Sequence, residues 1–122
     1  MSYRTVKISA GVGGWGGSLT VTPTPQRTVV ASITGGGVHP VAQRIAELTG
    51  AEAVDAFNHH VRYDDMVCAV IDCGGTARVG IYPMKNVPTV DVHPVAPGGP
   101  LARHVKADNF VSGVGLDEVE GA

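Results

Sequence analysis

The stretch MVCAVIDCGGTARVG, residues 66–80, decides how the rest of the sequence is interpreted. Residues 66–73 form a short, almost continuous apolar run that ends at Cys73, which predicts a buried β-strand. The pair Gly74–Gly75 follows at once, and two glycines between strand-like runs are typical of a tight hairpin, since a type I′ turn needs positive φ at both central residues. We therefore expect a second strand over residues 76–82.

Other short apolar or alternating runs predict further strands, separated by segments rich in glycine and proline. These predicted strands cover residues 3–9, 19–22, 28–34, 87–93 and 109–114. Residues 41–49 have helical spacing, with Pro40 before them and Gly50 after them, and residues 101–107 predict a second short helix. Residues 53–57 fit either a short strand or a helical turn. The predicted fold class is mixed α/β (α+β): a single mixed sheet, largely β, with about two helices and the reactive cysteine at a β-hairpin turn.

Length and charge restrict the class of protein. We expect the 122 residues to form a single domain, 1–122. The net charge of −2 and the low aromatic content give no basis for binding nucleic acid, and no apolar stretch is long enough for membrane insertion. In one extended strand Cys68 and Cys73 lie about 16 Å apart, beyond disulfide reach. Two free thiols fit a reducing cytosol, and burial habits assign Cys68 to the core.

The residues around Cys73 suit phosphoryl chemistry. A thiolate is a nucleophile, and nearby positive charge lowers the pKa of a thiol. In the expected hairpin Arg78 lies diagonally across from Cys73, within reach of a long side chain. Gly74 and Gly75 expose backbone N–H groups, and Thr76 adds a hydroxyl donor, so the set could surround phosphoryl oxygens. The alternative is a buried, inert cysteine beside a turn that needs only its glycines.

Other motifs leave their alternatives open. The glycine-rich loop 11–17 either carries its tryptophan to a partner or forms a turn with a core tryptophan. Residues 34–40, TGGGVHP, either hold an anion at a helix start or simply connect two elements. His93 is either an acid–base group or a strand histidine with a local partner. The adjacent His59 and His60 lack metal-ligand spacing, so no metal site is predicted.

Five blocks carry a resemblance to a known family. They are GGWGG (13–17), VIDCGGTARVGIYP (70–83), VPTVDVHP (87–94), GPLA (99–102) and FVSGV (110–114). In this order they resemble the N-terminal IIB region of the glucitol/sorbitol-specific enzyme II of the bacterial sugar phosphotransferase system. The blocks span nearly the whole chain.

The resemblance implies a phosphocarrier enzyme. In this family a phosphorylated IIA protein passes a phosphoryl group from a phosphohistidine to a cysteine of IIB, which passes it to a hexitol during uptake through the membrane permease IIC. Cys73 matches that cysteine, and we expect Gly74, Gly75, Thr76 and Arg78 to bind the phosphoryl group. The family implies no cofactor, partners in IIA, IIC and a sugar alcohol, and a cytoplasmic location at the inner face of the membrane without the IIC part.

Three positions depart from the family pattern. Members often carry a second cysteine where this chain has Val79, an arginine before Pro40 where it has His39, and a lysine in the loop that here reads APGGPLA, residues 96–102. The phosphate-binding set and the preferred sugar are therefore open to change. A regulatory or redox-sensing module with the same fold remains the alternative function.

Overall fold

The computed structural model of the chain describes residues 3–72, 80–99 and 101–121. Its strands are β1 (Val6–Ser9), β2 (Ser18–Val21), β3 (Val29–Ile33), β4 (Glu52–Asp55), β5 (Met66–Ile71), β6 (Thr89–Asp91), β7 (Phe110–Ser112) and β8 (Val119–Gly121). Its α-helices are α1 (Pro40–Thr49) and α2 (Ile81–Met84), and single 3₁₀ turns occur at Tyr63–Asp65, Ala102–His104 and Leu116–Glu118.

The larger sheet is parallel throughout the described residues. Its strand order is β4-β3-β5-β6-β7, and each neighbouring pair runs in the same direction. β5 lies at the centre, and all six of its residues are buried. A strand covered on both faces carries a continuous apolar run instead of an alternating one. The sequence MVCAVI has this property, which explains its central position.

The core occupies both faces of the larger sheet. α1 and a small antiparallel sheet, ordered β2-β1-β8, pack on one face. α2 packs on the other face, and we call this side the α2 face. Its buried apolar residues are Ala31, Ile33, Met66, Ala69, Ile71, Tyr82 and Val87.

Helix α1 begins and ends with local signals that the sequence displays. The Nδ1 atom of His39 accepts a hydrogen bond from the backbone N–H of Val41 at 3.0 Å, and Pro40 occupies the first turn, where a missing N–H costs nothing. Gly50 ends the helix with φ of 85°, a left-handed conformation that glycine adopts without strain. The helix therefore has a fixed start beside the end of β3.

The glycine-rich loop 11–17 closes the outer side of the edge strand β7. The N–H of Gly11 donates to the carbonyl of Ser112 (3.2 Å), and the N–H of Ser112 donates to the carbonyl of Trp15 (3.0 Å). The N–H of Gly17 donates to the carbonyl of Ala107 (2.9 Å). These hydrogen bonds occupy backbone N–H and carbonyl groups at this edge of the sheet, which would otherwise be open to pairing with a strand of another chain.

Close backbone approach explains two glycines of this loop. A Cβ atom on Gly14 would lie 2.0 Å from the carbonyl oxygen of Ser112, and one on Gly16 would lie 2.2 Å from that of Phe110. Trp15 is half-buried, with its ring centroid 6.0 Å from that of Phe110. The loop is thus a turn with a packed tryptophan. Of the two alternatives left open by the sequence, the structure favours this one over a loop that carries Trp15 to a partner.

The structure confirms the α/β class and the strands around 3–9, 19–22, 28–34, 87–93 and 109–114, with shifted ends. Residues 52–55 form a strand, and the predicted helix at 41–49 is α1. The single mixed sheet is wrong: the described strands form two separate sheets, one antiparallel and one parallel. The continuous apolar runs mark parallel strands, whereas an alternating pattern occurs in the small sheet, as in β2.

The predicted second strand of the hairpin, residues 76–82, is not found where the structure describes it: residues 76–79 lie outside the described residues, and Ile81 and Tyr82 belong to a helix. Residues Ile81–Met84 form helix α2, in which Pro83 fits because it lies within the first turn. Both edges of β5 are taken by the parallel neighbours β3 and β6, so no antiparallel partner can lie beside it. The proposed turn itself lies in residues 73–79, outside the described residues.

At 101–107 the structure has a single 3₁₀ turn, Ala102–His104, in place of the predicted helix.

We expect Gly14→Ala to lower the free energy of unfolding by about 2–4 kcal/mol, because the new methyl group overlaps the Ser112 carbonyl oxygen and must displace the loop. Gly36→Ala is the matched control, since its Cβ would meet nothing within 4 Å. The control should change stability by less than about 1 kcal/mol. Urea unfolding measures both, and equal effects of the two substitutions would contradict the packing role of Gly14.

Candidate functional site

The carboxyl ends of the parallel strands meet at one side of the larger sheet. Ile33, Ile71, Asp91 and Ser112 are successive register partners across β3, β5, β6 and β7, so these strands end in one row. We call the segments that follow the five strands the carboxyl edge. Within the described residues it comprises residues 34–39, 56–58, 72, 92–95 and 113–115.

The strand order places a switch point between β3 and β5. The chain leaves β3 toward β4 on one side of the sheet, and it leaves β5 toward β6 on the other side. Connections that diverge in this way leave a crevice outside the carboxyl ends of the two strands, where open α/β sheets bind their ligands. The loop after β3 and the residues after β5 are therefore the first place to seek a site.

The loop after β3 is held by backbone geometry and hydroxyl groups. Gly35 and Gly37 have φ of 81° and 87°, which other residues rarely adopt. The hydroxyl groups of Thr34 and Ser32 donate to the carbonyl of Gly37, at 3.2 and 3.3 Å. The Ser32 hydroxyl also accepts from the N–H of His39 at 3.0 Å. These bonds shape a narrow, solvent-exposed turn that leads directly into α1.

The start of α1 brings partial positive charge to the carboxyl edge. The N-terminus of a helix carries about half a positive charge and favours anions. Because Nδ1 of His39 accepts the Val41 N–H, the neutral imidazole must carry its proton on Nε2. His39 therefore caps the helix and, in that form, keeps one N–H donor on its other nitrogen.

The loops after β6 and β7 support the edge from the other side. Asp91 is fully buried, and its Oδ1 accepts from the N–H of His93 at 2.9 Å. The Ser112 hydroxyl donates to the carbonyl of Val95 (2.6 Å) and accepts from the N–H of Trp15 (2.8 Å). His93 itself is exposed and lies just beyond β6 instead of within a strand. The sequence motifs DVHP and FVSGV contain Asp91 and Ser112, but nothing in either motif indicates that the two residues lie side by side in the sheet.

The predicted site residues Cys73, Gly74, Gly75, Thr76 and Arg78 all lie outside the described residues. The structure describes the chain up to Asp72, which directly follows β5, and again from Gly80, which precedes α2. Covalent connection therefore attaches this segment to the carboxyl end of β5.

Cys68 belongs to the core, as predicted. It is completely buried in the middle of β5, and this burial raises the pKa of the Cys68 thiol to about 12. A thiol in this state is protonated and inert at neutral pH. The criterion that assigned Cys68 to the core, the strong tendency of free cysteines to be buried, was sufficient for this residue.

Two further searches concern the described ranges. In residues 3–72, 80–99 and 101–121, no three His, Cys, Asp or Glu side chains cluster closely enough to hold a metal ion. No helix in the same ranges has the length and apolar character needed to cross a membrane.

Comparison with known proteins gives a consistent result. The family model described as "Sorbitol phosphotransferase enzyme II N-terminus" matches residues 5–122. A Clostridium beijerinckii protein named "PTS system glucitol/sorbitol-specific EIIB component" is 45% identical over 118 residues. The alignment covers 96% of this chain and 35% of the relative, so the chain spans about a third of the length of that relative. No solved structure matches the chain.

We expect Cys68 to resist alkylation in the folded protein, because its thiol is buried and protonated. In a Cys73→Ser background at about pH 8, iodoacetamide should label Cys68 only after urea unfolds the chain.

A thiol with a raised folded-state pKa holds its proton more tightly when folded. The free energy of unfolding should therefore fall between pH 9.0 and about 12.

The matched control for this pH dependence is Cys68→Ala in the same background, which should lose that component of the decline. Rapid labelling of Cys68 under native conditions would contradict the assignment of this residue to the core.

Proposed function

The chain belongs to the sorbitol phosphotransferase enzyme II N-terminus family, and on this premise we propose that it is a phosphocarrier in which Cys73 carries the phosphoryl group. The observation that supports the proposal most strongly is the family match over residues 5–122, which includes Cys73. The position of β5 adds physical support, because its carboxyl end lies at the switch point of the sheet. Residues 1–122 act as one domain in this proposal.

The proposed reaction has two in-line displacements. The Cys73 thiolate attacks the phosphorus of a phosphohistidine on a IIA protein. The S–P bond forms, the N–P bond breaks, and the electron pair returns to the donor imidazole. A hydroxyl oxygen of a sugar alcohol then attacks the same phosphorus. The O–P bond forms, the S–P bond breaks, the electron pair returns to sulfur, and the hydroxyl proton passes to solvent.

Charge stabilisation is the main demand of such a transfer, because the phosphoryl group carries negative charge at every stage. In this proposal the Arg78 guanidinium, the Thr76 hydroxyl and the backbone N–H groups of Gly74 and Gly75 bind its oxygens. The N-terminus of α1 supplies further positive potential at the carboxyl edge.

The proposed partners follow from the two steps. A phosphorylated IIA protein is the donor, and a IIC permease presents glucitol or a related sugar alcohol. These partners place the domain in the cytoplasm, at the inner face of the membrane. The proposal requires no metal or cofactor. The alternative function, a regulatory or redox-sensing module, gains no support from the comparisons.

Intact mass spectrometry tests the phosphocarrier function. The protein is incubated with phosphoenolpyruvate, the two general phosphotransferase proteins and a cognate IIA. We expect wild type to gain one phosphoryl group and Cys73→Ser to gain none. Cys68→Ala is the matched control and should gain one group, because its thiol is buried away from any donor.

Two outcomes would contradict the proposal. If wild type gains no phosphoryl group while the IIA is phosphorylated, the domain does not accept the group and the regulatory or redox function becomes the better explanation. If Cys73→Ser still gains a group, another residue is the acceptor.

The proposed role of Arg78 gives a separate prediction. Arg78→Ala should slow phosphorylation of Cys73 at least about tenfold, because a charge-assisted hydrogen bond to the phosphoryl group is lost. Arg44→Ala, which removes an exposed arginine on α1, should leave the rate unchanged. Stopped reactions analysed by mass give the rates, and urea unfolding checks that both variants are folded. Equal rates in wild type and Arg78→Ala would exclude this role.

A further inference from the structure

A groove of about 540 Å³ opens on the α2 face of the larger sheet. Its apolar floor is formed by Ile33 and Met66 from neighbouring strands, together with Ala56 and Val61 from the connection between β4 and β5. Tyr82 of α2 lines it from the side. The volume lies within the range of about 300–1,000 Å³ that small-molecule sites usually have.

The topology explains why this space is open. β4 and β5 lie on opposite sides of β3, so their connection must cross β3. A parallel crossover usually contains a helix that covers the sheet. In the connection 56–65 the regular structure is the single 3₁₀ turn Tyr63–Asp65. A short turn covers less of the sheet than a helix would, which leaves a groove over β3 between this connection and α2.

Aromatic and basic side chains form the walls. The rings of Tyr63 and Tyr82 meet edge to face, with centroids 5.9 Å apart at 63°. Nζ of Lys85 lies 5.7 Å from the centroid of the Tyr63 ring, a cation–π contact that restrains the ammonium group beside the groove. His60 and Arg62 line the same groove.

The charges around the groove favour an anion. Lys85 and Arg62 bring two positive charges, and Asp64 is the acidic residue among the described lining residues. Arg62 and Asp64 form an ion pair at 3.5 Å, with side chains 69% and 76% exposed. Such exposed pairs contribute little stability, so Arg62 can exchange this partner for a ligand at small cost. The groove is thus locally positive on a chain whose net charge is −2.

We propose that this groove binds a small phosphate monoester of a sugar or sugar alcohol. Lys85 and Arg62 bind the phosphate at the mouth, and the tyrosine rings and apolar floor pack against the carbon chain. The anionic part of this proposal follows from the charges described above, whereas the choice of a sugar alcohol as the carbon chain rests on the proposed function. A site of this kind would let the domain bind the phosphorylated product of uptake on the α2 face, next to the carboxyl edge, to which Ala56 also belongs.

Titration followed by ¹H–¹⁵N NMR tests the proposal on the Cys73→Ser protein, with no IIA or general phosphotransferase protein present. The probe is sorbitol 6-phosphate, added to about 10 mM, at which a site of millimolar affinity is mostly filled. We expect saturable shifts of amide signals from Ile33, Tyr63, Tyr82 and Lys85. Because this readout needs no phosphoryl transfer, its failure leaves the proposed function untouched.

Lysine variants identify the site. Lys85→Gln should weaken binding about tenfold, because it removes the restrained positive charge at the mouth. Lys106→Gln removes a lysine from an exposed position outside the groove and should bind as the parent does. Equal affinity in the two variants would overturn the proposal.

Two further probes test the ligand class. Sorbitol and inorganic phosphate should each bind more weakly than sorbitol 6-phosphate, because each lacks one half of the recognised molecule. If inorganic phosphate produces the same shifts with the same affinity, the groove does not recognise the carbon chain and the proposal is wrong. The absence of saturable shifts with sorbitol 6-phosphate would overturn it as well.

Discussion

Parallel hydrogen bonding on both edges of β5 is the constraint on which the architecture depends. β3 and β6 run in the same direction as β5, so the chain must return across the sheet between one parallel strand and the next. Each segment that follows a strand of the larger sheet therefore starts at the carboxyl edge. This topology brings Thr34, Asp72, His93 and Gly113 to one edge, although they are far apart in the sequence.

Local patterns predicted the elements better than their pairing. Apolar spacing and caps correctly predicted α1, and the unbroken apolar run correctly predicted β5 as a buried strand. The pair Gly74–Gly75 was interpreted through local turn rules, which predicted an antiparallel hairpin. Strand pairing is decided by distant segments, here β3 and β6, and no local rule includes them. A proline that ends a strand is equally acceptable in the first turn of a helix, as in α2.

The candidate site was predictable only in part for a related physical reason. Local chemistry and the resemblance both predicted Cys73 as the site, and residues 73–79 lie outside the described residues. The cap made by His39 and the buried carboxylate of Asp91 were missed, because their importance comes from the parallel topology. Glycine clusters also look alike in sequence. Gly14 is required by a carbonyl oxygen that its side chain would strike, whereas Gly35 is required by its positive φ.

The two cysteines hold different positions relative to β5, and the proposed function gives them different chemistry. Cys68 lies in the middle of β5, where burial on both sides excludes water and keeps the thiol protonated. Ile71 is the last residue of the strand, and Cys73 follows two residues later. The start of α1 supplies positive potential at the carboxyl edge, and under the proposed function this potential would favour a thiolate at Cys73. In the proposed function the chain must protect its core while presenting one nucleophile to two partners. A central parallel strand suits both demands, because its middle is enclosed on both faces while its carboxyl end lies at the edge of the sheet.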